Sequence, residues 1–165
     1  MFREMRRKNQ ALSSEECIQV LNRATSGVLA VSGDEGYPYA VPLSYVYHNN
    51  KIYFHGAKTG HKLDGIERNE KVSFCVIDQD QIVQEEYTSY FRSVIVFGRA
   101  RIMWEEDKRR ALEILTARYT PDIEENDRSQ KINEGLKNVN MIELEIEYMS
   151  GKEAKKLAKA FSPKL

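Results

Sequence analysis

The run Phe54-His55-Gly56-Ala57-Lys58-Thr59-Gly60-His61-Lys62-Leu63-Asp64 gathers the residues of this chain most able to do chemistry. It reads as the end of a strand, a loop carrying Gly56 and Gly60, and the start of a helix. Lys58, His61 and Lys62 crowd that helix start. The positive end of the helix dipole prefers acids, so a cation there costs about 0.3–1 kcal/mol. A bound anion reverses the sign, and the unpaired N–H groups from Thr59 to Lys62 suit phosphate oxygens. Thr59 adds a hydroxyl, and Gly60 leaves room for close approach. The plainer alternative makes Thr59 an ordinary cap and Lys58 and Lys62 solvated cations, with Asp64 and Glu67 answering the dipole. The residues alone leave both readings open.

Two further features stand close by. His55 ends the strand beside this loop, where a histidine either packs structurally or serves as an acid or orienting donor. In Ala40-Val41-Pro42-Leu43-Ser44-Tyr45, Pro42 lacks a ladder donor and belongs on an edge strand, against solvent or against a flat ligand. His48 falls in a turn and is expected to be solvated. No Ser/His/Asp set, paired-carboxylate signature or metal-ligand spacing is present, so no metal site is expected. The glycine-rich dinucleotide motif is also absent, which argues against a nicotinamide cofactor held on a Rossmann unit.

These residues need a frame. Residues 13–24 predict a helix opened by a Ser13–Glu16 capping box, with Cys17, Ile18 and Leu21 inward and Val20 a further candidate for that stripe. Residues 27–31 form an apolar run expected of a strand covered on both faces. A turn at 33–36, a β-rich stretch at 37–47 and a returning strand at 51–55 predict a three-strand antiparallel meander. A short helix follows at 61–69 with Leu63 and Ile66 inward, then a strand at 72–77 that places Cys75 in the core. Residues 78–90 are polar and ambiguous. Residues 92–104 predict a long strand with a bulge or bend at Gly98. Residues 105–119 give a clear helix through Ala111, Leu112, Leu115 and Tyr119. An acidic, mobile loop is expected at 120–127 and a weak helix at 129–137. Residues 139–147 alternate, with Ile142, Leu144 and Ile146 inward and Glu143, Glu145 and Glu147 outward. Residues 151–159 read as a basic helix. Strands dominate and no regular strand–helix alternation exists, so a closed antiparallel barrel fits better than an α/β sheet.

The 165 residues suffice for one domain, 1–165, with a single core. The formal net charge of +0 argues against a general nucleic-acid or membrane-surface binder. The two cysteines, Cys17 and Cys75, are far apart and read as reduced thiols of a cytoplasmic protein. Residues 1–8 are basic without the apolar stretch of a signal peptide, and no segment has the length and apolarity of a membrane span.

The runs Gly36 to Tyr45, Ile52 to Asp64 and Ser93-Val94-Ile95-Val96-Phe97-Gly98-Arg99-Ala100 together resemble the pyridoxamine-phosphate-oxidase-like split barrels. Within them the chain is similar to the nitroimidazole-resistance (Nim) branch, including its opening Met5-Arg6-Arg7-Lys8. The resemblance implies a mainly β, six-stranded Greek-key split barrel with flanking helices. It implies a homodimer holding FMN, or in some members FAD, at the subunit interface. Val41, Pro42, Leu43 and Ser44 would border the flavin ring, and His55 would lie by the ring or ribityl chain. Ala57, Lys58, Thr59, Gly60, His61 and Lys62 would surround the phosphate, and Ser93 would approach from the partner subunit. The implied activity is flavin-dependent reduction of small electron-poor molecules, nitroaromatics among them, with NAD(P)H as transient donor. The alternative is a carrier of flavin or haem without turnover. The oxidase proper has an Arg-Lys pair where this chain has His61-Lys62, so one charge becomes conditional on pH. Its C-terminal Arg/His substrate motif has no match in residues 149–165, and pyridoxamine-phosphate oxidation is not expected.

Overall fold

The computed structural model describes residues 1–157. Helix α1 (Ser14–Arg23) opens with the expected capping box: Ser13 Oγ accepts from Glu16 N at 3.2 Å, and Ser13 N donates to the Glu16 carboxylate at 2.7 Å. Then come β1 (Ser26–Ser32), β2 (Pro38–Ser44), β3 (Val46–His48), β4 (Lys51–Gly56), α2 (His61–Arg68), β5 (Lys71–Val83), β6 (Thr88–Ile102), α3 (Glu105–Tyr119), α4 (Glu125–Gly135) and β7 (Asn140–Glu153). The strands form one antiparallel sheet in the order β2-β1-β5-β6-β7-β4-β3, which makes seven strands where six were expected.

The extra strand arises at Tyr45. The β-rich stretch 37–47 is two strands, β2 and β3, lying at opposite edges of the sheet with Tyr45 between them. One residue can join the two edges only if the sheet curls until they meet, and this is what makes it a split barrel. The expected three-strand meander is therefore two separate hairpins, β1–β2 and β3–β4. Tyr45 is fully buried; its hydroxyl donates to Leu21 O at 2.9 Å and its ring meets Phe74 edge-on at 5.0 Å. Tyr119 Oη accepts the Tyr45 N–H at 3.0 Å, which pins the seam to the end of α3.

Inside the barrel, Leu29, Phe54, Phe74, Val96, Ile142 and Leu144 form the core, with α1 and α2 closing it through Leu21, Leu63 and Ile66. A second cluster lies outside the wall, where Leu112 and Leu115 of α3 and Ile132 of α4 cover Tyr53 of β4 and Met141 of β7. Helix α3 lies over Glu143, which was expected to face solvent and is 4% exposed. Lys51 Nζ at 3.0 Å and Arg101 Nε at 2.9 Å satisfy its carboxylate. Glu145 and Glu147 do face out.

Cys75 is half-buried on the outer face of β5; Val72, Phe74 and Val76 point into the core. Residues 79–83 and 88–92 pair as a hairpin arm beyond an irregularity at Ile77/Gln79, which gives the ambiguous 78–90 stretch its structure. The register shift at Phe97/Gly98 confirms the expected bulge. Helix α4 begins at Glu125, so part of the expected acidic loop is helical. Residues 151–153 continue β7 where a helix was expected; helix begins at 155, and the remainder of that expected segment lies outside the described residues. No helix among the described residues is long and apolar enough to cross a membrane.

Candidate functional site

Strand β4 ends at Gly56 because β7 ends beside it: Gly56 pairs with Asn140, the first residue of that strand. The chain then runs through exposed Ala57, Lys58 and Thr59 to Gly60, which caps α2 with φ 137° and ψ 163°. That backbone region is almost confined to glycine. No atom would lie within 4 Å of a Cβ at Gly60, so the cap faces open space. Thr59 is therefore not the helix cap, which removes the plainer account of that residue. Gly60 O accepts from Leu63 N at 2.8 Å and Asp64 N at 3.2 Å, closing the first turn. The N–H groups of His61 and Lys62 have no protein acceptor among the described residues.

Lys62 folds back over the end of β4. A Cβ at Gly56 would lie 2.8 Å from Lys62 Cε and 3.2 Å from Nζ, so glycine there lets the lysine cross the strand. Neither Lys58 nor Lys62 has an ion-pair partner among the described residues, and the Asn140 amide fixes the loop by donating to Lys58 O at 3.2 Å. The His61 imidazole turns away from the loop. The ring stacks on Tyr39, centroids 4.1 Å apart, with Nε2 3.5 Å from Asp34. Arg68 donates to Asp34 at 2.7 Å, and that hydrogen bond, with the His61 charge, holds the Asp34 carboxyl below its usual range.

The other expected residues divide by face. On edge strand β2, Pro42 and Ser44 face out, while Val41 and Leu43 pack against the barrel core. The edge position explains how Pro42 is tolerated. His55 also faces out, beside the seam that Tyr45 closes. With Ser44 it lines a cavity of about 440 Å³ whose remaining wall is α3, α4 and the approach to β7: Leu112, Leu115, Tyr119, Ile132 and Val139. Such a chamber is of ordinary ligand-site size. Its helical walls were missed in the sequence because they read simply as a core stripe. Ser93 is not brought to the loop. It pairs with Lys152 while Gly56 pairs with Asn140, twelve positions apart on β7, or roughly 40 Å at strand rise.

The outer face of the β2-β1-β5-β6 region carries a row of small and apolar residues. Pro42, Val28, Cys75 and Ile95 are consecutive register partners, as are Ala40, Ala30, Ser73 and Phe97. Ile95 is 40% and Phe97 38% exposed.

The family model for pyridoxamine 5'-phosphate oxidase matches residues 13–153. None of the curated proteins matches the chain significantly. Among solved structures, a protein assigned to 5-nitroimidazole antibiotic resistance from Bacteroides thetaiotaomicron VPI-5482 superposes with a TM-score of 0.72 at 23% identity, covering 87% of this chain and 86% of that one. An FAD-binding protein from Mesorhizobium loti gives 0.59 at 27% identity, over 88% and 97%. An FAD- and haem-binding protein from Mycobacterium smegmatis gives 0.73 at 20% identity, over 94% and 81%.

Proposed function

The chain belongs to the pyridoxamine 5'-phosphate oxidase-like split-barrel family, and on that premise we propose that it is a flavin-dependent oxidoreductase of small electron-poor organic molecules, nitroaromatics included. The observation that carries the reading is Lys58 and Lys62, without ion-pair partners among the described residues, at an open, glycine-capped helix start. Two cations and two outward N–H groups form a cradle for one phosphate group. FMN is the cofactor this single cradle suits best; FAD would enter by the same loop.

Bound flavin supplies the redox chemistry, and the protein supplies binding, orientation and exclusion of water. Lys58, Lys62 and the N–H groups of His61 and Lys62 hold the phosphate. Pro42 and Ser44, facing out on the β2 edge, border the ring. His55 stands at the mouth of the apolar cavity, where its imidazole orients an acceptor molecule or gives it a proton. The cavity admits a small, largely apolar substrate, and NAD(P)H serves as the transient donor. The apolar outer face pairs two copies into a homodimer, and only a second copy brings a Ser93 to the flavin. Two free thiols suit a cytoplasmic protein.

Denaturing the purified protein and identifying the released chromophore tests the cofactor. Lys62→Ala is expected to weaken FMN binding by about tenfold to a hundredfold, the worth of a charge-assisted hydrogen bond. Riboflavin, lacking phosphate, should bind wild type and variant alike; equal weakening of both ligands would assign Lys62 to the fold instead. Bleaching by NADH or NADPH, then recovery of colour with a nitroaromatic, separates an enzyme from a carrier. Sedimentation should show a dimer at micromolar concentration; a monomer that still holds flavin tightly would overturn the shared-site arrangement.

A further inference from the structure

The cavity beside His55 has two unlike sides. On its strand side stand Ser44 and His55, and neither side chain has a hydrogen-bond partner among the described residues. On its helix side every hydroxyl is already committed. Thr116 Oγ donates to Leu112 O at 2.8 Å, Thr120 Oγ donates to Thr116 O at 2.7 Å, and Tyr119 Oη is held at the seam by Tyr45 N and Thr25 O. Lys131 is paired with Glu134 at 3.0 Å. What remains to meet a ligand there is Leu112, Leu115, Ile132 and Val139. A polar group placed between α3 and α4 would lose its hydration without replacement, so that side suits an apolar, uncharged group.

Gly135 belongs to this helix side. In helical projection it falls between Lys131 and Ile132, and both of those line the cavity, so a side chain at 135 would project toward it. Neither usual reason for glycine holds. Its φ of −92° and ψ of −22° are right-handed, which any residue adopts. No atom would lie within 4 Å of a Cβ at Gly135, so no neighbour demands the space. Gly36 and Gly60 share that openness, but at φ of 80° and 137°. Glycine at 135 therefore weakens the end of α4 relative to alanine, and what it gives in return is room in the cavity.

We propose that Gly135 determines acceptor specificity by leaving a channel for an apolar, uncharged tail. The electron-poor ring lies by Ser44 and His55, and an alkyl or aryl substituent on it runs over Gly135 between Leu115 and Ile132. Volume agrees with this. An apolar cavity of about 150 Å³ accommodates benzene, and this one has about 440 Å³, so a bare ring leaves most of it open. The preferred substrates are then neutral rings that carry an apolar substituent. The proposal rests on the reading of this cavity as the acceptor site.

The test uses the full chain with its flavin and two neutral nitroaromatics, para-nitrobenzamide and its N-butyl derivative. Calorimetry without reductant gives binding, and kcat/KM with NADH or NADPH gives turnover. Wild type should favour the butyl compound by about tenfold or more, the worth of burying two or more methylenes. Gly135→Leu fills the channel, and that ratio should fall to within about twofold of one. Gly135→Ala should raise the melting temperature, because alanine favours the helix, and should keep most of the preference. If Gly135→Leu does not fold, Gly135→Val is read by the same ratio. No preference in wild type, a preference that survives the filled channel, or a lower melting temperature in Gly135→Ala would each overturn the proposal. A calorimetric preference that Gly135→Leu abolishes, with neither compound turned over, would uphold the channel and overturn the oxidoreductase reading instead.

Discussion

His61 lays its imidazole on the Tyr39 ring, centroids 4.1 Å apart and planes 23° from parallel, and so turns its side chain from the loop toward Asp34. The two ends of the His61-Lys62 pair thereby do different things. The lysine reaches back over Gly56 toward the loop, and the histidine fastens α2 to the turn before β2. His61→Ala should therefore leave FMN affinity within about threefold of wild type, because the backbone N–H survives. It should cost stability by about 0.5–1.5 kcal/mol, the worth of an aromatic contact. Thermal melts and FMN titrations check both. A loss of affinity equal to that of Lys62→Ala would mean that the imidazole swings to the phosphate.

Gly60→Ala tests the cap. Space is not the obstacle, since a Cβ would meet nothing within 4 Å; the φ of 137° is. The substitution should destabilise by about 1–3 kcal/mol, the usual cost of a side chain in that backbone region. If the chain instead relaxes into an ordinary cap, the N–H groups of His61 and Lys62 re-aim. FMN affinity then falls while riboflavin affinity holds. Unchanged stability and unchanged FMN affinity together would show that this cap geometry has no role in binding.

The loop was legible in the sequence because its signals are local: charge sign at a helix start, two glycines and a strand end. The capping box of α1 and the stripe of α2 were legible for the same reason. Tyr45 was not. A single residue separates β2 from β3, and the apolar pattern runs on without a break, so nothing local marks where the chain leaves one sheet edge for the other. Glu143 was misplaced because strand alternation reports which face a residue takes, not whether a helix covers that face. The chamber at His55 depends on α3 and α4 docking far along the chain, a tertiary fact that no spacing carries.

Tyr119→Phe probes the seam. Its hydroxyl accepts Tyr45 N–H at 3.0 Å and donates to the Thr25 carbonyl, so one atom holds the join of β2 and β3 to α3. Losing it should cost about 0.5–1.5 kcal/mol, the worth of an ordinary hydrogen bond, because Tyr45 N–H keeps a second acceptor in Thr25 O at 3.2 Å. Tyr119 also lines the His55 cavity, so the variant should alter turnover of a nitroaromatic more than it alters FMN affinity. A stable variant with unchanged turnover would show that neither role belongs to this hydroxyl.

Glu143 sets the last expectation, on acid stability. Burial alone pushes its carboxyl up, but hydrogen bonds and charge from Lys51 and Arg101 outweigh burial, and the net direction is down. Tyr53 feels the opposite side of the same arrangement: burial, then the Glu143 charge and hydrogen bond, push its phenol up to about 12. A carboxyl lowered in the folded state adds stability that is fully present above its unfolded value, about 4.3, and is lost as pH falls through the folded one. Glu143→Gln keeps the shape and removes the charge, leaving Lys51 and Arg101 facing a neutral amide. The variant should be less stable than wild type at pH 7 by about 1–3 kcal/mol, because its two partners are only partly buried. The difference should persist down to about pH 5 and shrink as wild type protonates below that. Urea midpoints for both proteins, measured from pH 7 to pH 3, give the curve. A gap between them that stayed constant to pH 3 would show that the charge on Glu143 is not what stabilises this wall of the barrel.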